Sequence, residues 1–393
     1  MMNPKIRFKK SDGSDYQNYT EKCIGNFLTS YTNKNNSELH PVVAVGRYGI
    51  RKREDIYSKD LSEDISKNRV IDKNTMIIGM GSKQIDLGFL FEDTKYSVSP
   101  AYSTFHIHDI EPHYFKLLMN HKNTQLSNQY MIVGARQGKS VDKDGLLAHD
   151  LDIPVDIEEQ TKIANFLSEI DNLIASAEHE VESTKQLKKA MLQKMFPKKG
   201  EKFPEIRFPE FTDAWEQRKL GDVFVEYSEK GHDELPPLTI IQGKGTILRE
   251  ESERNLIYDK SGLKNYKLVN QDDFILHLRS FEGGLEKANS RGIVSPAYHI
   301  FHGENADTKF YYPFFRSKYF ISVLLKPHVY GIRDGKSIDV DGMKTIDIPY
   351  PTIEEQNKIG DYFACLDSLI TLHQRKLDAY KKFKKAMMQK MFV

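Results

Sequence analysis

Two glycine-bearing loops of this 393-residue chain carry side chains of the types that bind nucleic acids. Residues 279–284 read Arg-Ser-Phe-Glu-Gly-Gly and residues 81–88 read Gly-Ser-Lys-Gln-Ile-Asp-Leu-Gly, and each loop follows an apolar segment predicted to form a strand. Arginine and lysine can bond guanine, glutamine can bond adenine, and hydroxyl groups can reach phosphates. This composition favours contacts in a DNA groove; the alternative is an ordinary solvated hairpin.

Two further cationic segments lie at equivalent places upstream of these loops. Residues 46–53 hold four cations and one aromatic residue, and residues 242–249 hold a lysine between two glycines and end in an arginine. Solvated surface charge is the usual meaning of such a run, whereas its recurrence favours contact with phosphates or bases. Arg291, just ahead of the second Val-Ser-Pro-Ala-Tyr segment, is a further candidate, and two glycine-bearing turns at residues 134–140 and 331–337 supply others. The candidate DNA-binding residues are Arg47, Arg51, Lys52, Arg53, Ser82, Lys83, Gln84, Arg136, Lys139, Lys244, Arg249, Arg279, Ser280, Arg291, Arg333 and Lys336.

Two Gly-x-x-x-Gly-Lys-Ser segments, at residues 134–140 and 331–337, are similar to a nucleotide-binding phosphate loop. Both are one residue shorter than that motif requires, and neither leads into a strand–loop–helix unit. A polar turn near DNA, with Arg136 and Arg333 beside it, fits these segments better than an ATP site.

Catalytic signatures are missing from the sequence. There is no glycine-rich cofactor loop followed by Asn-Pro-Pro-aromatic, and no Glu-x-Lys of the common nuclease metal site. The histidine pairs His106/His108 and His299/His302 have spacings that are equally common in strands. We therefore expect no catalytic residue, no metal site and no bound cofactor in this chain.

Composition limits the class of protein. With 57 basic and 56 acidic residues the net charge is +1, which argues mildly against unaided DNA binding and leaves room for a local basic face. Cys23 and Cys365 belong to no metal-ligand spacing and favour a reducing compartment. No apolar run approaches the roughly 18 residues of a membrane span, and the first ten residues hold no apolar signal core. The sequence predicts a soluble, cytoplasmic protein.

A tandem duplication contains all of these segments. Ile-Glu-Glu-Gln occurs at residues 157–160 and again at 353–356, and Val-Ser-Pro-Ala-Tyr occurs at 98–102 and again at 294–298. The spacing between the two copies is the same for both motifs. The protein therefore consists of two copies of one unit, arranged in tandem.

Each repeat combines a mixed module with a long helix. Short apolar strands such as Met76–Met80, Phe274–Leu278 and Ile346–Ile348 alternate with turns rich in Gly, Pro, Asn and Asp, and Tyr311–Leu325 is predicted to be helical. A proline lies just ahead of each long helix, and a glutamate pair follows in the predicted first turn. Carboxylates are favourable there because they interact with the positive end of the helix dipole. The predicted fold class is mixed α/β (α+β), with two globular domains in tandem.

The two long helices carry apolar residues at alternating steps of three and four, which is coiled-coil spacing. Thr184/Lys188 and Tyr380/Lys384 are weak positions in this series. Two helices of equal length with one seam favour an antiparallel pair with pseudo-twofold symmetry; the alternative is a helix packed on its own domain. The seam residues are Ile163, Leu167, Ile170, Ile174 and Val181 on the first helix and Ile359, Phe363, Leu366, Ile370 and Leu377 on the second.

This organisation resembles the specificity subunit of type I restriction–modification systems over essentially the whole chain. The most telling segments are Arg-Phe-Pro-Glu-Phe at 207–211, Trp-Glu-Gln-Arg-Lys-Leu-Gly at 215–221 and Ile-Pro-Tyr-Pro-Thr-Ile-Glu-Glu-Gln at 348–356. Lys-Lys-Ala-Met-x-Gln-Lys-Met-Phe closes each long helix, at 188–196 and 384–392. The first repeat departs from the pattern at its start, where it keeps only Ile-Arg-Phe, one aromatic residue and one glycine.

The resemblance implies a binding and assembly protein that is not an enzyme. Residues 1–152 and 198–349 would be target recognition domains, each reading one half of a bipartite, asymmetric site on double-stranded DNA. Residues 153–197 and 350–393 would be spacer helices that set the distance between the half-sites. They would also dock two methyltransferase subunits and, in the full complex, two restriction/translocase subunits. S-adenosylmethionine, ATP and magnesium are then expected only in those partners. The alternative is a coiled-coil scaffold that recruits partner subunits without reading DNA.

Overall fold

Two units make up the protein, here a computed structural model, and each unit combines one module with parts of both long helices. The structure describes residues 4–34, 40–46, 49–55, 67–81, 83–133, 139–198, 200–252, 260–277, 284–330 and 337–392. The first unit comprises Met1–Ser176 with Lys376–Val393, and the second comprises Ala177–Arg375. Among the helices of the described ranges, none is long and apolar enough to cross a membrane.

The module of the first unit alternates short strands with turns and ends in helices. Its helices are α1 (Pro112–Tyr130), α2 (Lys143–Leu147) and the start of α3 (Ile157–Lys194). Its strands are β1 (Thr20–Cys23), β2 (Leu28–Ser30), β3 (Asn33–Lys34), β4 (Val43–Gly46), β5 (Gly49–Lys52), β6 (Arg69–Ile71), β7 (Thr75–Met80), β8 (Ile85–Leu90), β9 (Tyr96–Val98), β10 (Ser103–Ile107), β11 (Met131–Val133), β12 (Lys139–Val141) and β13 (Asp150–Ile153).

An antiparallel sheet with the strand order β2-β10-β7-β8 lies at the centre of the first unit. Alternate residues of a strand face opposite sides of its sheet. Ile85 and Leu87 of β8 therefore enter the core beneath α1, whereas Leu90 joins a smaller core beside the β4–β5 hairpin. Strand β1 pairs with β13, so the start of the module lies beside the strand that leads into α3.

Similar elements build the second unit. Its helices are α4 (Leu220–Val223), α5 (Thr308–Phe315), α6 (Val340–Lys344) and the start of α7 (Ile353–Met391), with a π-helical turn at Phe320–Leu325. Its strands are β14 (Glu216–Lys219), β15 (Phe224–Tyr227), β16 (Leu238–Ile241), β17 (Gly245–Leu248), β18 (Lys267–Val269), β19 (Phe274–Leu276), β20 (Glu286–Lys287), β21 (Gly292–Val294), β22 (His299–Gly303), β23 (Val329–Tyr330), β24 (Ser337–Ile338) and β25 (Asp347–Tyr350).

The sheets of the second unit repeat those of the first. The central order β15-β22-β19-β20 corresponds to β2-β10-β7-β8, the pair β14–β25 to β1–β13, and the hairpin β16–β17 to β4–β5. The predicted helix Tyr311–Leu325 is interrupted, because α5 ends at Phe315 and the Ser317 hydroxyl accepts a hydrogen bond from the Phe320 N–H, which starts the next turn. The strand predicted at Ile346–Ile348 lies at Asp347–Tyr350, where it pairs with β14.

The predicted packing of the two long helices against each other is confirmed. In the first unit the Lys384 ammonium, near the end of α7, lies 2.5 Å from Asp171 of α3. In the second unit Lys188, near the end of α3, lies 2.5 Å from Asp367 of α7. In each unit the last turns of one long helix thus lie beside the first half of the other, as an antiparallel pair requires.

Apolar seam residues of the helices also contribute to the module cores. Ile163, Leu167 and Ile170 join the core beneath α1, and Ile359, Phe363 and Leu366 join the equivalent core of the second unit. The alternative of a helix packed on its own domain thus describes the first half of each helix, while the same faces pack against the partner helix. Val181 and Leu377 are buried, and Ile174 and Ile370 are half-buried.

Candidate nucleic-acid interface

In the first unit, the β4–β5 hairpin presents the cationic segment predicted to contact DNA. Arg51 and Lys52 are exposed at the end of β5, and Arg53 begins a short 3-10 turn. The hydroxyl of Tyr102 lies 3.3 Å from both the backbone N and the backbone O of Val45 on β4. The repeated Ser-Pro-Ala-Tyr segment thus ends in a side chain that fixes the position of this hairpin.

A cleft of about 1000 Å³ lies between the hairpin, strand β8 and helix α1. Arg51 and Lys52 line one wall, and Gln84 lies at the end of the cleft where β8 begins. The structure therefore brings together side chains from two segments that are far apart in sequence and were both predicted to contact DNA. Lys83 is exposed next to Gln84.

Helix α1 forms the opposite wall, a surface that sequence reasoning missed. His113, Lys116, Asn120 and Asn123 line the cleft and follow each other at steps of three, four and three residues. Such steps place side chains on one face of a helix. The sequence carries no clear signal for this face, because α1 has polar residues on its other faces too, and the tertiary structure is needed to show which of them line the cleft.

Hydrogen bonds divide the polar residues of the cleft into two groups. The Gln84 amide donates to the Thr124 hydroxyl at 2.8 Å, and the Asn123 amide donates to the backbone O of Ile85 at 3.0 Å. These two amides therefore hold the start of β8 against α1. The Asn120 side-chain amide makes no hydrogen bond to any described residue, and the Lys116 ammonium lies 5.8 Å from the centre of the Phe91 ring.

In the second unit the β16–β17 turn presents Lys244, whose side chain is exposed. Gly243 and Gly245 on either side have φ values of +74° and +75°, and a Cβ on Gly245 would lie 2.5 Å from the backbone O of Lys287. Both positions thus require glycine. The Asn289 amide donates to the backbone O of Lys244 at 2.8 Å, so the turn is fixed while its cation points outward.

Glu286, at the start of β20, holds this turn from inside the protein. Its fully buried carboxylate accepts hydrogen bonds from the N–H groups of Gly243 at 2.8 Å and Gly245 at 3.3 Å. Tyr312 donates its hydroxyl at 2.8 Å, and Arg316 pairs with the carboxylate at 2.6 Å. Burial, together with the adjacent carboxylate, raises the pKa of Tyr312. Both carboxylate oxygens of Glu286 are therefore engaged.

The remaining described candidates differ in their surroundings. Arg291 is exposed beside strand β21. Arg249 donates to the Tyr266 hydroxyl at 3.2 Å and lies 5.7 Å from that ring, so its guanidinium is held within the module. Lys139 begins β12, and its side chain lies outside the described structure. Seven predicted residues also lie outside the described residues: Arg47, Ser82, Arg136, Arg279, Ser280, Arg333 and Lys336.

The histidines of the two sequence pairs contact other side chains. His106 stacks on Tyr31 with ring centres 3.8 Å apart, and His302 lies 2.7 Å from the buried Asp273 carboxylate. In the part of the chain that the structure describes, no group of three or more His, Cys, Asp or Glu is placed to hold a metal ion.

Known proteins share this organisation. The sequence matches the model of the type I restriction modification DNA specificity domain twice, over residues 7–186 and 212–381. It is 25% identical over 291 residues to the putative type I restriction enzyme MjaX specificity subunit of Methanocaldococcus jannaschii, covering 71% of this chain and 67% of that protein. It is 28% identical over 268 residues to the type I restriction enzyme MjaVIII specificity subunit of the same organism, covering 62% of each.

Solved structures show the same fold. The S subunit of a type I restriction–modification system from M. genitalium superposes with a TM-score of 0.58 and 14% identity, covering 100% of this chain and 99% of that chain. A chain from a structural study of complex assembly and conformational transition in the type I system gives 0.50 and 14%, covering 95% and 97%. At this identity the likeness concerns the fold alone. Because the family model matches both repeats and most of the sequence, this chain belongs to the type I restriction modification DNA specificity domain family.

Proposed function

We propose that this chain is the DNA-reading specificity subunit of a type I restriction–modification complex, and that each unit reads one half of a split site. The observation that carries the proposal is the double match to a DNA specificity domain, which falls on two modules built alike. Each module presents cations on a hairpin held from within. Since the two hairpins differ in sequence and in the contacts that hold them, the two half-sites should differ.

Recognition would combine contacts to the DNA backbone with contacts to bases. Arg51 and Lys52 in the first unit and Lys244 in the second are exposed cations that suit phosphates or guanine. The chain supplies binding and orientation, while adenine methylation and DNA cleavage belong to other subunits. Those subunits would hold S-adenosylmethionine, ATP and magnesium.

Repeated apolar residues on the long helices support a complex with two copies of one partner. Leu173 and Phe383 are 47% and 46% exposed in the first unit. Leu187 and Leu369 are 44% and 38% exposed in the second unit, at the equivalent positions of the duplication. Two equivalent apolar patches suit two methyltransferase subunits, and two restriction/translocase subunits would join the full complex.

Substitution of one patch tests this stoichiometry. Glutamate at both Leu187 and Leu369 should leave one methyltransferase subunit bound instead of two, as measured by light scattering of the purified complex. Lys185→Glu, at an exposed polar position of the same helix, is the control and should keep both. Two subunits retained by the double variant would contradict the assignment of the patch.

The scaffold hypothesis explains the paired helices and leaves the double match to a DNA specificity domain unexplained. The deciding measurement is genome-wide adenine methylation in a host with the methyltransferase subunit, with and without this chain. A split, asymmetric motif that depends on the chain is the expected result. Unchanged methylation by an assembled complex would remove the DNA-reading function and favour the scaffold.

A further inference from the structure

Gly88 of β8 and Glu286 of β20 occupy the same place in the two central sheets. Gly88 pairs with Ile77 on β7, and Glu286 pairs with Ile275 on β19. Each of these isoleucines also pairs with a residue of the strand on its other side, β10 or β22. In both sheets that residue lies two positions after the tyrosine of the repeated Ser-Pro-Ala-Tyr segment. The two repeats therefore differ at this place by the presence of a carboxylate.

This difference changes how each hairpin is held. In the first unit the hairpin packs directly on the strand, since a Cβ on Gly88 would lie 2.9 Å from Ile50 and 3.0 Å from Val45. In the second unit the Glu286 carboxylate bonds the hairpin turn and, on its other side, Tyr312 and Arg316. Tyr312 of α5 and Arg316, which follows the helix, are thus bound within the module.

The corresponding residues of α1 are free of such a network. Lys116 and Asn120 occupy the positions of Tyr312 and Arg316 in the duplication, and both are exposed on the wall of the cleft. Gly88 offers them no carboxylate. No described residue bonds the side-chain amide of Asn120, so its donor and its acceptor remain available towards the cleft.

We propose that α1 is a DNA-contacting helix of the first unit, in which Asn120 reads an adenine and Lys116 binds a phosphate. An asparagine amide matches the donor and acceptor of adenine in the major groove, and an ammonium on the same helix face suits the adjoining backbone. Arg51 and Lys52 on the facing wall would hold the same DNA strand. The second unit has no equivalent, because Glu286 engages the counterparts of both residues. This inference rests on the proposed function.

Mapping of adenine methylation tests it in hosts that carry the complete complex with Asn120→Ala, Lys116→Ala or the control Gln129→Ala. Gln129 is exposed on α1 and lies outside the cleft lining. Asn120→Ala should lower the preference for one adenine, in one half-site, by roughly tenfold. Lys116→Ala should keep the motif, and in binding to a duplex with the mapped site it should reduce the slope of log affinity against log salt by about 0.9. The control should match the wild type in both measurements.

The outcomes separate this inference from the function on which it rests. A wild-type complex that methylates no split motif removes both. A wild-type motif that is unchanged in Asn120→Ala, or that weakens uniformly across both half-sites, overturns only the role of α1, since a merely structural residue would act in that way.

Discussion

At the scale of single residues, the second glutamate of each Ile-Glu-Glu-Gln segment is a buried ion-pair partner. Glu355 is 1% exposed and accepts two hydrogen bonds from Arg207, at 2.7 and 2.8 Å, and one from the Trp215 indole at 3.0 Å. Glu159 and Arg7 form the same pair in the first unit, at 3.0 and 2.8 Å. The start of each module is therefore attached to the start of its long helix.

Replacement of Glu355 by glutamine should destabilise the second unit. The amide cannot accept both bonds from Arg207, which would leave a largely buried guanidinium incompletely paired, at a cost of about 3 kcal/mol. Thermal unfolding of the purified chain measures the effect. Glu354→Gln is the matched control, because Glu354 is exposed in the same helical turn, and it should change stability little. Equal effects of the two variants would contradict this role.

Acid should weaken the second unit through Glu226. Partial burial alone would raise its pKa, but hydrogen bonds from Lys344 and His299 outweigh burial, and the pKa lies below its ordinary value. A carboxylate with a lowered pKa in the folded state stabilises the protein above its unfolded pKa of about 4.3, and this contribution is lost as pH falls further.

The melting temperature of Glu226→Gln should therefore lie below that of the wild type at pH 7. The gap should narrow as the pH falls from about 5 to 3, through the ordinary glutamate pKa and below it. A gap that stays constant over this range would assign the effect of the variant to something other than the ionised carboxylate.

At the scale of elements, the weak heptad positions of the long helices have partners. Lys188 and Lys384 interrupt the apolar seam, and each lies 2.5 Å from an aspartate of the other helix, Asp367 or Asp171. Both pairs are equivalent under the duplication. A polar residue at a seam position specifies helix register, so these pairs favour the antiparallel alignment.

Charge reversal tests this pair of helices. Lys188→Glu and Asp367→Lys should each destabilise the second unit, and the double variant should recover most of the loss. The expected coupling is only about 0.5 kcal/mol, because Asp367 is half exposed and solvent screens the pair. Urea unfolding of the four proteins in a double-mutant cycle gives the coupling; additive losses would show that the pair does not set the register.

The sequence predicts elements well where one residue pattern is sufficient, and it says less about which residues line the candidate cleft. The seven-residue spacing and the Pro…Glu-Glu starts were sufficient for α3 and α7, and the duplication gave the two modules. The cleft required three elements to meet, so Arg51 and Gln84 were predicted as separate segments while Asn120 was missed. Glu286 could not be recognised either, because its role depends on which residues its strand faces.

At the scale of the whole molecule, α3 and α7 each contribute residues to both units without a break in the helix. If the helices set the gap between half-sites, removal of one heptad from each should shorten that gap. Residues 178–184 and 371–377 are suitable, because the contact of Lys188 with Asp367 places these segments opposite each other. Seven residues correspond to two helical turns, so the seam stays in register.

At about 1.5 Å per residue this deletion shortens each helix by about 10 Å, which corresponds to roughly three base pairs of DNA. The methylated motif should then keep both half-sites and have a spacer about three base pairs shorter. A deletion of four residues from each helix is the control, since it breaks the heptad register and should abolish assembly. An assembled seven-residue deletion complex that methylates with the original spacer would show that something other than helix length sets the distance between the half-sites.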